Sequence, residues 1–195
     1  MNVFPWWGVV ENLIFANKDK KEIKQIINFL YILGVQIAKI ESKKLDKEFL
    51  KSSEAYIIFK DTLEKIRLEH REIKIQLFKN FILKSSLLEE FAPRENIDRE
   101  YILSKIDILD VPHFEIIKWY FDNKFLESRL IGSDYSTKKE EELIKITNYY
   151  KEFENDLMVN GLLEDVSSGR LGGGHFYIPS ALCKVIYEFI RYDDI

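Results

Sequence analysis

Most apolar residues of this chain recur at spacings of three and four, which is the period of amphipathic α-helices. The first such segment covers residues 17–40 and begins at a helix cap, either Asn17 or Asp19. One stripe of this helix consists of Ile23, Ile26, Ile27, Leu30, Leu33 and Ile37. The other side is also apolar, with Phe29, Tyr31, Ile32 and Val35. We therefore expect this helix to be central and buried all round.

The same period predicts further helices. One begins at Ser52 or Ser53, and another covers about residues 70–88; the two are separate, or they form one long helix bent near His70. Asp110 is expected to cap a helix with Pro112 near its first position, and Ser180 is expected to cap the last helix. The remaining predicted helices cover residues 97–109, about 136–150 and 152–160.

A cluster of glycines indicates β-structure near the end of the chain. Five of the eight glycines lie from Gly161 to Gly174, between the segments LLEDVSS and HFYIP, which have the composition of short strands. In phosphate-binding loops the glycines stand at fixed offsets and lead directly into a helix, whereas these lead into a strand. The cluster therefore predicts the turn of a β-hairpin rather than a phosphate site.

The segment APREN interrupts the helical pattern at residues 92–96, because Pro93 disfavours helix in the residue before it. We place a domain boundary there. The sequence predicts a mainly α protein with a helical bundle over residues 1–92. Residues 93–195 are predicted to form a winged-helix-like domain with a two-stranded β-hairpin.

The second half of the chain resembles winged-helix proteins. The segments LDVPHFEIIKWYFDN, NDLMVNGLLEDV and GHFYIPSALCKVIYEFI follow the order of that fold, with a first helix, a later helix ending in Asn-Gly, a hairpin and a closing helix. The segment REIKIQLFKNFILKSSLLE is similar in style to the helical half of uncharacterised bacterial and phage-linked proteins that join a bundle to such a domain. The resemblance implies a fold and implies no activity.

The charge of this half departs from that of winged-helix proteins that bind DNA, which place a helix in the major groove and a basic wing beside it. Between residues 140 and 165 there are eight acidic side chains and two basic ones. Because neutralising phosphates supplies much of the free energy of DNA binding, this acidity disfavours a nucleic-acid partner. The alternative, a winged-helix DNA-binding transcriptional regulator, requires a set of cations to gather on one face. These are Lys138, Lys139, Arg170, Lys184 and Arg191.

The start of the chain, FPWWGVV, carries aromatic side chains that would expose a large apolar area if nothing covered them. We expect Phe4, Trp6 and Trp7 either to pack on the bundle or to contact a protein partner or a second copy of the chain. A membrane interface is the third setting for such tryptophans, and we do not favour it. The segment has neither a basic leader nor the length of a spanning helix.

No complete catalytic motif occurs in the sequence. His70 lies between Glu69 and Glu72 without forming Glu-x-x-His or HExxH. An enzyme would need a cleft assembled from distant residues such as His70, His113 and His175. The single cysteine, Cys183, is expected to be a buried apolar residue, and it excludes a disulfide framework and favours a reducing compartment.

These observations predict a cytoplasmic, non-catalytic protein-interaction or regulatory protein, with a protein partner or a homodimer. We predict no catalytic residue, no cofactor and no metal ion. A DNA-binding regulator is the second hypothesis and an enzyme is the third.

Overall fold

The computed structural model describes residue 11 and residues 19–87, 98–123, 133–166 and 177–191; within residues 133–138 it describes the backbone alone. The described residues form eight α-helices, a short 3₁₀ turn and a two-stranded antiparallel hairpin, which confirms the predicted mainly α fold with one hairpin. The helices are α1 (Lys20–Lys39), α2 (Ser53–Leu68), α3 (Glu72–Ser85), α4 (Arg99–Ile108), α5 (Val111–Asp122), α6 (Ser133–Ile146), α7 (Tyr150–Val159) and α8 (Ala181–Ile190). The 3₁₀ turn is Phe49–Lys51, and the strands are β1 (Leu163–Asp165) and β2 (Tyr177–Pro179).

The described residues divide into two units, one up to Asp107 and the other from Ile108 to Arg191. Helices α1 to α4 belong to the first unit, and α5 to α8 with the hairpin belong to the second. The domain boundary predicted at residue 92 lies outside the described residues.

The first unit is built on three helices, α1, α2 and α3, each of which contacts the other two. Two of them begin at the predicted caps. The Asp19 carboxylate accepts the backbone N–H of Lys21 at 2.7 Å, and the Ser52 hydroxyl accepts that of Ala55 at 3.1 Å. Such side-chain acceptors satisfy amide groups that the first turn of a helix leaves without partners, so local sequence determines where these helices begin.

Helices α2 and α3 are separate, so the predicted alternative of one long bent helix is wrong. Glu69 and Arg71 both have extended backbone conformations between the two helices. The carboxylate of Glu69 accepts the backbone N–H groups of His70 and Arg71, each at 2.9 Å. Glu69 thus satisfies amides that a continuous helix would have bonded, and it stabilises the break.

The prediction that the first helix is buried all round is also wrong. α1 buries Ile26, Phe29 and Leu33, but it leaves Tyr31 and Val35 exposed. The helix buried on all sides is α3, in which every residue from Leu77 to Ser85 is buried. α3 carries Lys74, Lys79 and Lys84, but all three are buried, so lysines do not mark a solvent face on this helix.

In the second unit α5 is central, because it contacts α6, α7, α8 and β2. Asp110 caps α5 and Pro112 occupies its first turn, as predicted. The apolar side of α5 consists of Phe114, Ile116, Ile117 and Tyr120, all fully buried. α5 thus carries the core of this unit.

The hairpin pairs β1 with β2 in antiparallel register, with Leu163 opposite Pro179 and Asp165 opposite Tyr177. Gly161, just before β1, has φ of +72°, a conformation that other residues adopt at a cost in strain. Ser180 ends the hairpin and begins α8: its hydroxyl donates to the carbonyl of Gly161 at 2.7 Å and accepts the N–H of Cys183 at 3.1 Å. The antiparallel strands agree with the predicted turn, although the loop residues 167–176 lie outside the described part of the chain.

Candidate interaction surface

The inward side of α1 is fixed by polar contacts as well as by apolar packing. The side-chain amide of Gln25 donates to the carbonyl of Ile66 at 2.7 Å and also to that of Glu69. Glu22 forms an ion pair with Arg67 at 2.7 Å. These bonds join α1 to the end of α2, so the rotation of α1 about its own axis is determined, and with it the set of side chains that face outward.

The outward side of α1 is a line of six residues that we call the α1 face: Lys20, Lys24, Ile27, Tyr31, Val35 and Ala38. They lie on one side of the helix because they are three or four positions apart. The exposed fraction is 51% for Ile27, 71% for Tyr31 and 43% for Val35. Large apolar side chains that follow one another along a helix in this way are typical of contact surfaces, whereas single exposed ones are ordinary.

One end of the α1 face borders an open hollow of about 490 Å³. Its lining combines the apolar Ile27 and Tyr31 with the ammonium groups of Lys21 and Lys24, and Gln25 and Asn28 complete it. No ion pair of Lys21 or Lys24 is found among the described residues. The hollow can therefore receive an apolar group that has negative charge beside it.

The sequence pattern did not reveal the α1 face, because the apolar character of Tyr31 and Val35 predicted burial. A signal for it exists in the sequence. Lys20 and Lys24 precede Ile27 at helical spacing, and lysine at such positions is typical of solvent. A line of lysines that continues into apolar residues therefore predicts an exposed edge.

A second hollow, of about 450 Å³, lies where α2 and α3 meet. It is lined by charges that pair with each other. Lys65 contacts the Asp107 carboxylate at 2.5 Å, and the buried Lys74 ammonium donates to the Asp107 carbonyl. Arg71 donates two hydrogen bonds to the carboxylate of Glu69 and lowers the pKa of that group to about 2. This cluster stabilises the helix junction and holds the Glu69 carboxylate ionised, so Glu69 is not suited to proton transfer near neutral pH.

The cations proposed for nucleic-acid contact are placed differently from one another. The ammonium of Lys139 is turned inward, 2.7 Å from the buried Glu154 carboxylate and 5.2 Å from the centre of the Tyr120 ring. Lys184 on α8 and Arg191 at its end are exposed. The side chain of Lys138, and all of Arg170, lie outside the described residues. Among the three of these side chains that the structure describes, Lys139 is engaged internally, while Lys184 and Arg191 are exposed.

The candidate partner contacts Phe4, Trp6 and Trp7 lie outside the described residues, and so does His175. The other two histidines belong to different units, with His70 exposed and His113 buried. Nδ1 of His113 accepts the backbone N–H of Asp110 at 2.9 Å, so this side chain helps to cap α5. Burial lowers the pKa of His113, although Asp156, whose carboxylate lies 3.7 Å from Nε2, acts in the opposite direction.

Cys183 is buried as predicted, and burial raises the pKa of its thiol to about 12. A thiol with this pKa is almost wholly protonated at neutral pH and is a poor nucleophile. Among residues 19–87, 98–123, 133–166 and 177–191, no three His, Cys, Asp or Glu side chains are grouped so as to hold a metal ion. No helix in that part of the chain has the length and apolar character needed to span a membrane.

Comparison with known proteins gives no relative: no family model, no curated protein and no solved structure matches this chain.

Proposed function

We propose that this protein is a non-catalytic interaction or regulatory protein that binds another polypeptide through the α1 face. The observation that carries the proposal is the contrast between the two sides of α1. Its inner side is fixed by Gln25 and Glu22, while Tyr31 on the outer side is 71% exposed and is followed one turn later by exposed Val35. A partner would bury this apolar area, and burial of apolar area favours association.

The chemistry of the described residues supports a role in binding rather than in catalysis. Their titratable clusters are engaged internally: Glu69 with Arg71, Glu154 with Lys139, and His113 with the cap of α5. The buried thiol of Cys183 also agrees with a reducing compartment, so a cytoplasmic location is part of the proposal.

The alternative of a DNA-binding regulator receives less support. Lys139 is paired with Glu154, and Glu140, Glu141 and Glu152 are exposed on α6 and α7. A phosphate backbone near these carboxylates would be repelled.

Photo-cross-linking tests the proposal. The amino acid p-benzoylphenylalanine replaces Tyr31 in one version of the protein and the exposed Lys60 of α2 in a control version, and both are irradiated in the native cells. We expect one dominant protein adduct from position 31 and a weak or different pattern from position 60. The adduct should be lost when Ile27→Ser and Val35→Ser are added. The same adducts from both positions, or none from position 31, would show that the α1 face is not an interaction surface.

A further inference from the structure

We infer that the occupant of the α1 face is an acidic, amphipathic α-helix of another protein. This inference rests on the proposed function, and it specifies the partner by its chemistry. The shape of the surface is the first reason. From Ile27 to Ala38 the apolar part is about 17 Å long at 1.5 Å per residue, and one helix is about 10 Å wide. A helix of three to four turns fits such a line, with apolar anchors at positions i, i+3, i+4 and i+7.

The charge of the surface is the second reason. α1 carries four lysines, Lys20, Lys21, Lys24 and Lys39, all of them exposed, and a single carboxylate, Glu22. That carboxylate is engaged with Arg67 at 2.7 Å on the inner side. The α1 face is therefore positive where α1 begins, at Lys20 and Lys24, and apolar from Ile27 onward, with Lys39 following at the end of the helix. Complementarity requires a partner with negative charge beside its apolar anchors.

The hollow beside Ile27 is where we place the main contact with the partner helix. An apolar side chain of the partner enters between Ile27 and Tyr31, and a carboxylate one turn away meets Lys21 or Lys24. This arrangement removes apolar area from water while the ammonium groups stay near the rim, where charge pairs add specificity and speed of association.

A second copy of this chain fits less well. Two α1 faces offer no carboxylate to compensate each other's lysines, and the carboxylate that follows α1, Glu41, is paired with Lys43 at 2.9 Å. The apolar strip is also narrow, about 17 Å by 10 Å, whereas stable contacts between two folded domains extend over broader surfaces. A slender helix is suited to this small area.

Two synthetic helices test the inference directly. Both have about 16 residues and the same leucine anchors at i, i+3, i+4 and i+7; one carries glutamates beside the anchors and the other carries lysines. We expect the full-length protein to bind the glutamate helix at least about tenfold more tightly in fluorescence anisotropy, with the difference shrinking as salt is added. Reversing the charge of the surface with Lys21→Glu and Lys24→Glu should reverse the preference. Lys60→Glu on α2 is the matched control and should leave it unchanged.

The experiments distinguish a folding defect from failure of the acidic-partner inference and from failure of the proposed function. The substituted side chains are exposed, and circular dichroism should show the same helix content and thermal midpoint for every variant. Equal affinity for the two helices, or binding of neither, would overturn the inference. An adduct with a second copy of the chain at position 31, or binding to vesicles with anionic lipids in preference to the glutamate helix, would overturn it as well. If a protein is still cross-linked at position 31 while the glutamate helix fails to bind, the proposed function stands and the acidic partner is wrong.

Discussion

Lys139 and Glu154 form an ion pair inside the second unit, with 2.7 Å between the ammonium nitrogen and one carboxylate oxygen. The same carboxylate accepts the hydroxyl of Tyr120, and the ammonium lies between the rings of Tyr120 and Tyr177, at 5.2 and 5.5 Å from their centres. The pair therefore joins α6 and α7 to α5 and β2. Because the ammonium of Lys139 is turned inward in this pair, it is not available for the contact with DNA that the alternative hypothesis requires.

Removing one member of this pair should destabilise the protein strongly. Lys139→Met leaves Glu154 buried without its cation, and we expect the free energy of unfolding to fall by about 3 kcal/mol, since an uncompensated buried charge costs about 3–5 kcal/mol. The double variant Lys139→Met with Glu154→Leu should lose clearly less than the sum of the two single changes. Urea denaturation of all three variants measures this.

An exposed pair on the same two helices provides the control. Glu140 and Lys151 lie 3.1 Å apart, and the exposed fraction is 48% for the Glu140 side chain and 68% for that of Lys151. Breaking this pair with Lys151→Met should cost about 0–1 kcal/mol. A loss as large as that of Lys139→Met would contradict the distinction between the two pairs.

Glu69 should make the free energy of unfolding depend on pH in the acidic range. Because Arg71 lowers the pKa of Glu69 to about 2, its contribution is fully present above the pKa of about 4 that a glutamate has in the unfolded chain. The contribution is lost as the pH falls from there towards 2. We expect acidification from pH 5 to pH 2 to cost the native protein about 1–2 kcal/mol more than it costs Glu69→Gln, allowing for solvent screening. Chemical denaturation at several pH values tests this, with the exposed neighbour Glu72→Gln as control.

His113 should make the free energy of unfolding depend on pH in a higher range than Glu69 does. Burial lowers its pKa below the usual value, so the unfolded chain binds a proton more readily than the folded one does. Stability is therefore lost as the pH falls below about 6.5, the ordinary pKa of histidine. His113→Asn keeps an acceptor for the Asp110 amide but cannot titrate, and we expect a flatter dependence of unfolding free energy between pH 7 and 5. The NMR titration of the imidazole should have its midpoint below 6.5 in the native protein; a midpoint above that value would contradict the prediction.

The two sides of α1 should respond differently to substitution. Tyr31→Ser and Val35→Ser change exposed side chains and should alter the free energy of unfolding by no more than about 0.5 kcal/mol. Phe29→Ala, on the buried side, should cost about 3–5 kcal/mol because it leaves a cavity. Urea denaturation distinguishes the two groups, and a large loss from Tyr31→Ser would show that the outer side is part of the core.

Local signals in the sequence predicted the helix starts, and a non-local feature explains the main error. Asp19, Ser52, Asp110 and Ser180 each act through amides within a few residues, so their effect can be read without knowing the fold. The end of a helix is harder to predict from local sequence. The helix predicted to run to about residue 150 ends at Ile146, and the next one, predicted over residues 152–160, begins at Tyr150.

How deeply α1 and α3 are buried depends on how the helices pack, which no single segment specifies. α3 has Lys74, Lys79 and Lys84 and resembles a surface helix in composition, yet all three side chains are buried. α1 is richer in apolar residues and nevertheless exposes a line of them. The α1 face was missed for this reason, because the exposure of one side of α1 depends on how the helices pack against one another.

The central position of α5 has a consequence for how the second unit opens. Helices α6, α7 and α8 and strand β2 all contact α5, so loosening any of them exposes part of the same buried side. The backbone amides of α5 should then exchange with solvent deuterium only when the whole unit unfolds, while those of β1 exchange through smaller openings. In the second unit, the slowest-exchanging amides should therefore be those of α5, a helix of twelve residues.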